Sequence, residues 1–221
     1  MTHEGERLAL LHAVQELDRR GLVSGSSGNV SVRLPGEDGA ERYLVTPMGV
    51  TYERIKAGDM VTVDGELEPV EGDAVPSTES QLHRAIYRAR RDINAVVHTH
   101  SLYATVAAVT GSPVPPVVDE MVVYIGGQLE VAEYGFPGSE ELAANAVSAL
   151  GDRKAVLLRS HGLCAVGSDL REAIRIAVLA ERVAQIFVHA EMTGGATRLP
   201  AEAIEAERAI YLMRSGIEGI D

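Results

Sequence analysis

The chain lacks most of what would place it outside the cell, in a membrane or on nucleic acid. Of its 221 residues only Cys164 is cysteine, so no internal disulfide can form and a reducing compartment is expected. No apolar run approaches the roughly 20 residues of a bilayer-spanning helix. The opening stretch MTHEGERLALLHAVQELDRR has charges on both sides of its apolar stripe and no signal-peptide pattern. A cytoplasmic location without membrane contact follows as the expectation. Cations are scarce: 20 Lys and Arg face 32 Asp and Glu, for a net charge of −12. Nucleic-acid binding draws on clustered cations that release counterions. The densest cluster, RAIYRARRD (84–92), lies on a predicted helix and reads as a solvated face. With no Trp and 4% aromatics, the core must come mainly from Ala, Val and Leu.

The apolar pattern alternates between periods of 3.6 and 2. A helix is predicted over 3–20, with Leu10, Ala13, Val14 and Leu17 inward and Gly21 as its stop. Strands follow at 29–34 and 42–46, joined by the turn-rich PGEDGAE, and at 60–63. A helix from Ser77 to about Arg91 has Ser77 or Thr78 available as cap and Leu82, Ile86 and Tyr87 on its inner side. AVVH (95–98) is a strand, and a helix starts near Leu102. Residues 111–138 collect prolines and glycines, with short strands expected at 121–124 and 129–131. Ser139 caps a helix over 139–150, and strands at 155–159 and 163–166 flank a turn at His161–Gly162. A long helix over 169–192 should bury Ile176, Leu179, Val183, Ile186 and Phe187, and a last helix covers about 200–214. No repeat or linker interrupts the chain. The expectation is one domain over 1–221, an α/β/α sandwich with a mostly antiparallel central sheet.

Three stretches carry chemistry. In INAVVHTH an apolar strand ends at His98 and His100. A strand has period two, so both imidazoles share one face and can hold one divalent metal; a pair of hydrogen-bonded surface histidines is the plain alternative. In LLRSHGL a second apolar strand ends beside His161. Three protein ligands plus an open position is the usual catalytic zinc arrangement. In VPSTESQLH, Glu79 sits in the first turn of a helix after Ser77 and Thr78. That is either a cap or an anion site with a carboxylate beside it. Two further stretches, SGSSGNVSVR with Gly28 and Asn29, and TPMGV with Met48 and Gly49, are ordinary turns when taken singly. The other histidines (His3, His12, His83, His189) read as surface residues, and Cys164 as core packing.

In their order and spacing, SSGNVSVR, VTPMG, PSTE, VVHTH and RSHG together resemble the class II aldolase/adducin family, on its fuculose-phosphate aldolase branch, from about residue 7 to 190. The resemblance implies a zinc ion held by His98, His100 and His161, and Glu79 as a ligand at rest that moves away to act as general acid/base. It implies a sugar phosphate whose phosphate is held by Gly28 and Asn29, Met48 and Gly49, and Ser77 and Thr78, with Met48 contributing through its backbone N–H. It also implies a homotetramer with sites between subunits. The expected reaction is cleavage of a ketose 1-phosphate to dihydroxyacetone phosphate and an aldehyde, with zinc stabilising the enediolate charge as a Lewis acid. Only Lys56 and Lys154 are lysines and neither reads as a buried amine, which argues against a Schiff-base aldolase.

The chain departs from the family pattern where a tyrosine would be expected: Glu120 stands there beside Asp119, and the tail RSGIEGID has none. Related chemistries stay open: a ribulose-phosphate 4-epimerase, which the family usually equips with Asp in place of Glu79, a methylthioribulose-phosphate dehydratase or aldolase, and a sugar-acid phosphate decarboxylase. Outside catalysis, an adducin-like binding domain should have lost ligands that this chain keeps. A purely structural metal site would need a closed fourth ligand, for which Cys164 is the candidate.

Overall fold

The computed structural model describes residues 2–36 and 39–216; Glu37 and Asp38 of the PGEDGAE turn, and the tail from Ile217 on, lie outside the described residues. Eight strands form the sheet: β1 (Asn29–Leu34), β2 (Arg42–Val45), β3 (Val61–Asp64), β4 (Pro69–Glu71), β5 (Ala95–Thr99), β6 (Val131–Ala132), β7 (Ala155–Leu158) and β8 (Gly162–Gly167). Their order is β4-β3-β2-β1-β5-β8-β7-β6. Every pairing is antiparallel except β6 with β7, as the sequence pattern led one to expect. The edge strand β4 was not anticipated; it is short and opens on Pro69, which an edge tolerates.

The helices are α1 (Glu4–Arg19), α2 (Ser80–Ala89), α3 (Leu102–Thr110), α4 (Glu140–Leu150), α5 (Leu170–Met192) and α6 (Ala201–Ser215). The central strands are buried on both faces, so they read as unbroken apolar runs, and the strand period sorts their side chains into two cores. Ala95, Val97, Leu163 and Ala165 pack with residues of α1, α3 and α5. Val96, Cys164 and Val166 pack with residues of α2 and α4 on the opposite face. Cys164 is a fully buried core residue, as expected. Among the described residues no helix is long and apolar enough to cross a membrane.

Several local expectations are corrected. Met121–Ile125 is a π-helical turn and not a strand. The Gly126 N–H donates to both Met121 O and Val122 O, and at φ 100 this glycine ends the turn in a conformation a side chain would resist. Near 129–131 the strand is Val131–Ala132, while Leu129 makes only an isolated bridge to Val114. Helix α2 begins three residues late, because Ser77, Thr78 and Glu79 form a separate turn in which Ser77 Oγ accepts from Glu79 N–H at 3.3 Å. Neither hydroxyl residue is the N-cap, a position held by Glu79 without a side-chain cap bond. On α5, Ile176 and Val183 are buried as expected, with Ala173, Ala177, Ala180 and Ala184 beside them, whereas Leu179 and Phe187 are half-buried and Ile186 faces outward. The arginines of RAIYRARRD are largely paired: Arg84 and Arg88 with Glu66, Arg88 with Glu41, Arg90 with Asp92.

Candidate metal centre

Strand β5 places His98 on the α2/α4 face, and His100 follows two residues later just past the strand end. The next strand in the sheet, β8, is reached through a turn in which Ser160 takes a left-handed φ of 55°, and this turn brings in His161. Two glycines let the neighbouring chain close on the histidine strand from either side. A Cβ on Gly162 would lie 2.3 Å from Thr99 O, and one on Gly28, already at φ +75°, would lie 2.6 Å from His98 O. Tyr52 braces the second contact by donating from its OH to Gly28 O at 2.6 Å. Strand β1 contributes Asn29, in register opposite His98, and the turn before α2 contributes Glu79.

The four expected ligands converge. One donor atom from each of Glu79, His98, His100 and His161 lies within 4.8 Å of all the others. Ring centroids of the three imidazoles are 4.7 to 4.9 Å apart. Glu79 Oε2 is 3.3 Å from His98 Nε2, Glu79 Oε1 is 3.2 Å from His161 Nε2, and the Nε2 atoms of His98 and His100 are 2.9 Å apart. His98 and Glu79 are buried, His161 is half-buried and His100 is exposed, so the cluster opens outward past His100.

Electrostatics favour a cation here. His98 Nδ1 bonds to Leu163 O at 3.0 Å; a carbonyl only accepts, so the proton is on Nδ1 and the Nε2 lone pair points into the cluster. Burial by itself would raise the Glu79 carboxyl, but the His161 and His98 imidazoles beside it hold it well below the ordinary carboxylate range. Burial and the neighbouring His98 and His161 push His100 down to about 4, against the opposing pull of Glu79. Neutral imidazoles and an ionised carboxylate are the forms that bind metal. Glu79 Oε1 and His161 Nδ1 are buried without a hydrogen-bond partner. A divalent cation fits this three-nitrogen, one-carboxylate set.

Of the remaining site candidates, Gly28 and Asn29 touch the cluster residues directly, and the others lie on two joined turns that lead to Glu79. Asn29 Nδ2 donates to Glu79 Oε2 at 2.7 Å. The TPMG and PSTE turns are joined by a bridge between Pro47 and Pro76, by Ser77 N–H to Thr46 O at 3.1 Å, and by Met48 N–H to Val75 O at 2.8 Å. The Met48 N–H, expected to serve a phosphate, is thus already engaged in joining the turns. Gly49 follows at φ 71°, exposed and with open space around it, and Thr78 is exposed as well. Cys164 lies in the core and is not one of the four converging residues.

Residues 8–188 match the family described as Class II Aldolase and Adducin N-terminal domain. The chain belongs to that family. Among its relatives, an L-fuculose phosphate aldolase of Escherichia coli O6:H1 is 37% identical over 173 residues, 78% of each chain. A 5-methylthioribulose-1-phosphate/5-deoxyribulose-1-phosphate aldolase of Rhodospirillum rubrum is 34% identical over 205 residues, 91% of this chain and 90% of the relative. Among solved structures, an L-fuculose 1-phosphate aldolase superposes with a TM-score of 0.86 at 34% identity, covering 92% of this chain and 94% of the other. This class II aldolase is accordingly a metal-dependent lyase.

Two groups of this class II aldolase differ from the sequence expectation. His83, expected at the surface, is 3% exposed and bonds through Nδ1 to Ser31 Oγ at 2.7 Å. A signal was present: it lies four residues after Glu79 and four before Tyr87, on the inner stripe of α2. Lys154 is also buried, and its Nζ meets Glu172 Oε1 at 2.6 Å. It precedes β7 at the end of that strand away from His161, and its amine is an ion-pair partner there. Nothing in DRKAVLL signalled the burial; its partner comes from α5, 18 residues on.

Proposed function

We propose that this class II aldolase cleaves a ketose 1-phosphate, of the L-fuculose 1-phosphate kind, to dihydroxyacetone phosphate and an aldehyde. The observation that carries the reading is a single carboxylate, Glu79, set between His98 and His161 and held from behind by Asn29. His98, His100, His161 and, at rest, Glu79 would hold one divalent cation, which we take to be Zn2+ from its nitrogen-rich donor set. Bound there, the cation supplies a Lewis acid for the negative charge that builds on substrate oxygens as the carbon–carbon bond breaks.

The chain's own groups then divide the work. Gly28, Asn29, Ser77 and Thr78, with the Met48–Gly49 turn, receive the phosphate. Because Met48 N–H is engaged, that turn's contribution falls to Gly49. Glu79, released from its resting position as a carboxylate, takes up the proton that the C4 hydroxyl loses as the C3–C4 bond breaks and the aldehyde forms, and returns it to C3 of the departing three-carbon fragment. The deep burial of Glu79 beside exposed Thr78 and Gly49 fits a substrate anchored outside and cleaved inside.

A second reading differs only in the aldehyde half: a 5-deoxy or 5-methylthio ketose 1-phosphate. The apolar surface bordering the phosphate turns favours it. Met48 and Val75 are exposed side by side, and Tyr134 and Phe136 are exposed on the segment that reaches Thr78 at Gly138. We also read residues 1–221 as one domain, cytoplasmic, assembling as a homotetramer. Leu102, Val106 and Val109 form an exposed stripe on α3 that suits a subunit contact. The test is release of dihydroxyacetone phosphate from a panel of ketose 1-phosphates, before and after chelation. Chelator-sensitive release supports the reading, and no release from any member overturns it.

A further inference from the structure

A polar seam leads from the metal cluster into the core. Asn29 and Ser31 share one face of β1, and Glu79, His83 and Tyr87 follow at four-residue intervals on one side of the α2 segment. The rungs match: Asn29 Nδ2 bonds Glu79 Oε2 at 2.7 Å, Ser31 Oγ is 2.7 Å from His83 Nδ1, and Ser31 Oγ is 2.8 Å from Tyr87 OH.

The direction of these bonds follows from what each group must satisfy. Tyr87 is fully buried and Ser31 Oγ is its one hydroxyl partner. A buried phenol that gives its proton to nothing is unfavourable, so Tyr87 O–H donates to Ser31 Oγ. Ser31 then turns its own proton to His83 Nδ1, which accepts. With Nδ1 as the acceptor, the imidazole carries its one ring proton on Nε2, and burial favours this neutral form. That Nε2–H is buried and has no hydrogen-bond partner. Helical side chains lean toward the N-terminus, so residue i+4 lies over the turn of residue i. For His83 that is the turn of Glu79.

Glu79 needs a second place to sit. Three imidazoles and its carboxylate make a closed four-donor set, and a catalytic cation needs an open position. We propose that His83 is a positioning residue whose Nε2–H receives the Glu79 carboxylate when it leaves the cation, with Ser31 and Tyr87 fixing the tautomer that makes this N–H a donor. The inference rests on the metal-centre reading above and adds to it the destination of the carboxylate.

The test uses full-length His83→Leu, His83→Gln and Ser31→Ala. Glutamine sets an amide N–H near the place of Nε2–H; leucine fills the space without a donor. His83→Leu should lower kcat about 10- to 100-fold, the usual effect of losing a supporting hydrogen bond at a metal site, with KM little changed. His83→Gln should recover most of that loss, and Ser31→Ala should lower kcat in part. Independently of activity, cation loss to a chelator should be no faster in His83→Leu than in the parent, because Glu79 then stays on the cation. An unchanged kcat in His83→Leu, a loss that glutamine fails to restore, or faster cation loss in both His83 variants would overturn the proposal. If His83→Leu does not fold, His83→Gln and Ser31→Ala decide: near-parental kcat in the first with a reduced kcat in the second supports it, and any other pairing overturns it. If the parent cleaves no ketose 1-phosphate, the functional reading fails, and the chelator comparison still tests His83.

Discussion

Glu79 is an ionised carboxylate in a place where burial alone would neutralise it. Two imidazoles reverse that tendency, Asn29 adds a hydrogen bond, and the result is a carboxylate that is charged yet shielded from water. Glu79→Gln keeps the shape and the hydrogen bond from Asn29 but cannot take up a proton. We expect it to lower kcat by about 100-fold or more, within the range for a general acid/base, while metal content stays near that of the parent. Elemental analysis beside the kinetics checks both halves. At this scale the sequence was most informative where chemistry dictates spacing: His98 and His100 share a face because strands have period two, and the structure brings both to Glu79 and His161. It was less informative at His83, whose place on the inner stripe of α2 hints at burial but whose partner, Ser31, lies 52 residues away.

At the scale of elements, the centre depends on how closely three neighbouring strands can approach. Gly28, just before β1, and Gly162, the first residue of β8, press on the backbone of the histidine strand. Gly162→Ala would set a Cβ 2.3 Å from Thr99 O, a backbone atom that cannot move aside like a side chain. The strand pairing must shift, at a cost of about 1–3 kcal/mol, and His161 moves with it. Thermal unfolding should show a lowered Tm, and metal titration a weakened affinity. A parental Tm would mean that β8 does not need this close approach.

Most elements were legible in their periodicity; the departures have identifiable causes. MVVYI is β-branched enough to read as a strand, but Gly126 and Gly127 at positive φ end it as a π turn before it can pair. Ser77 and Thr78 look like caps, yet Ser77 is used to tie the TPMG and PSTE turns together.

At the scale of the whole molecule, one buried ion pair holds the end of the sheet away from the metal. Lys154 meets Glu172 with side chains only 10% and 16% exposed. Burial raises the Glu172 carboxyl, and bonds from Lys154 and Ser168 outweigh that and hold it below its ordinary value of 4.5. A carboxyl lowered on folding stabilises the folded state above its unfolded value and ceases to do so as pH falls through the folded one. Glu172→Gln leaves Lys154 buried without its counter-charge and should cost about 3–5 kcal/mol near neutral pH. Denaturant unfolding from pH 7 downward should find the gap between parent and variant narrowing below about pH 4.5, where the parent's carboxylate is lost too. A constant gap across that range would mean that the pair does not carry the difference.

The proposed chemistry stands on four side chains sharing one cation. Its most direct test is elemental analysis of the purified chain beside His98→Ala and His161→Ala. We predict one equivalent of a divalent metal per parent chain and its loss from both variants while their circular dichroism stays parental. A metal-free parent that takes up no divalent ion on titration, or variants that keep a full equivalent, would contradict it.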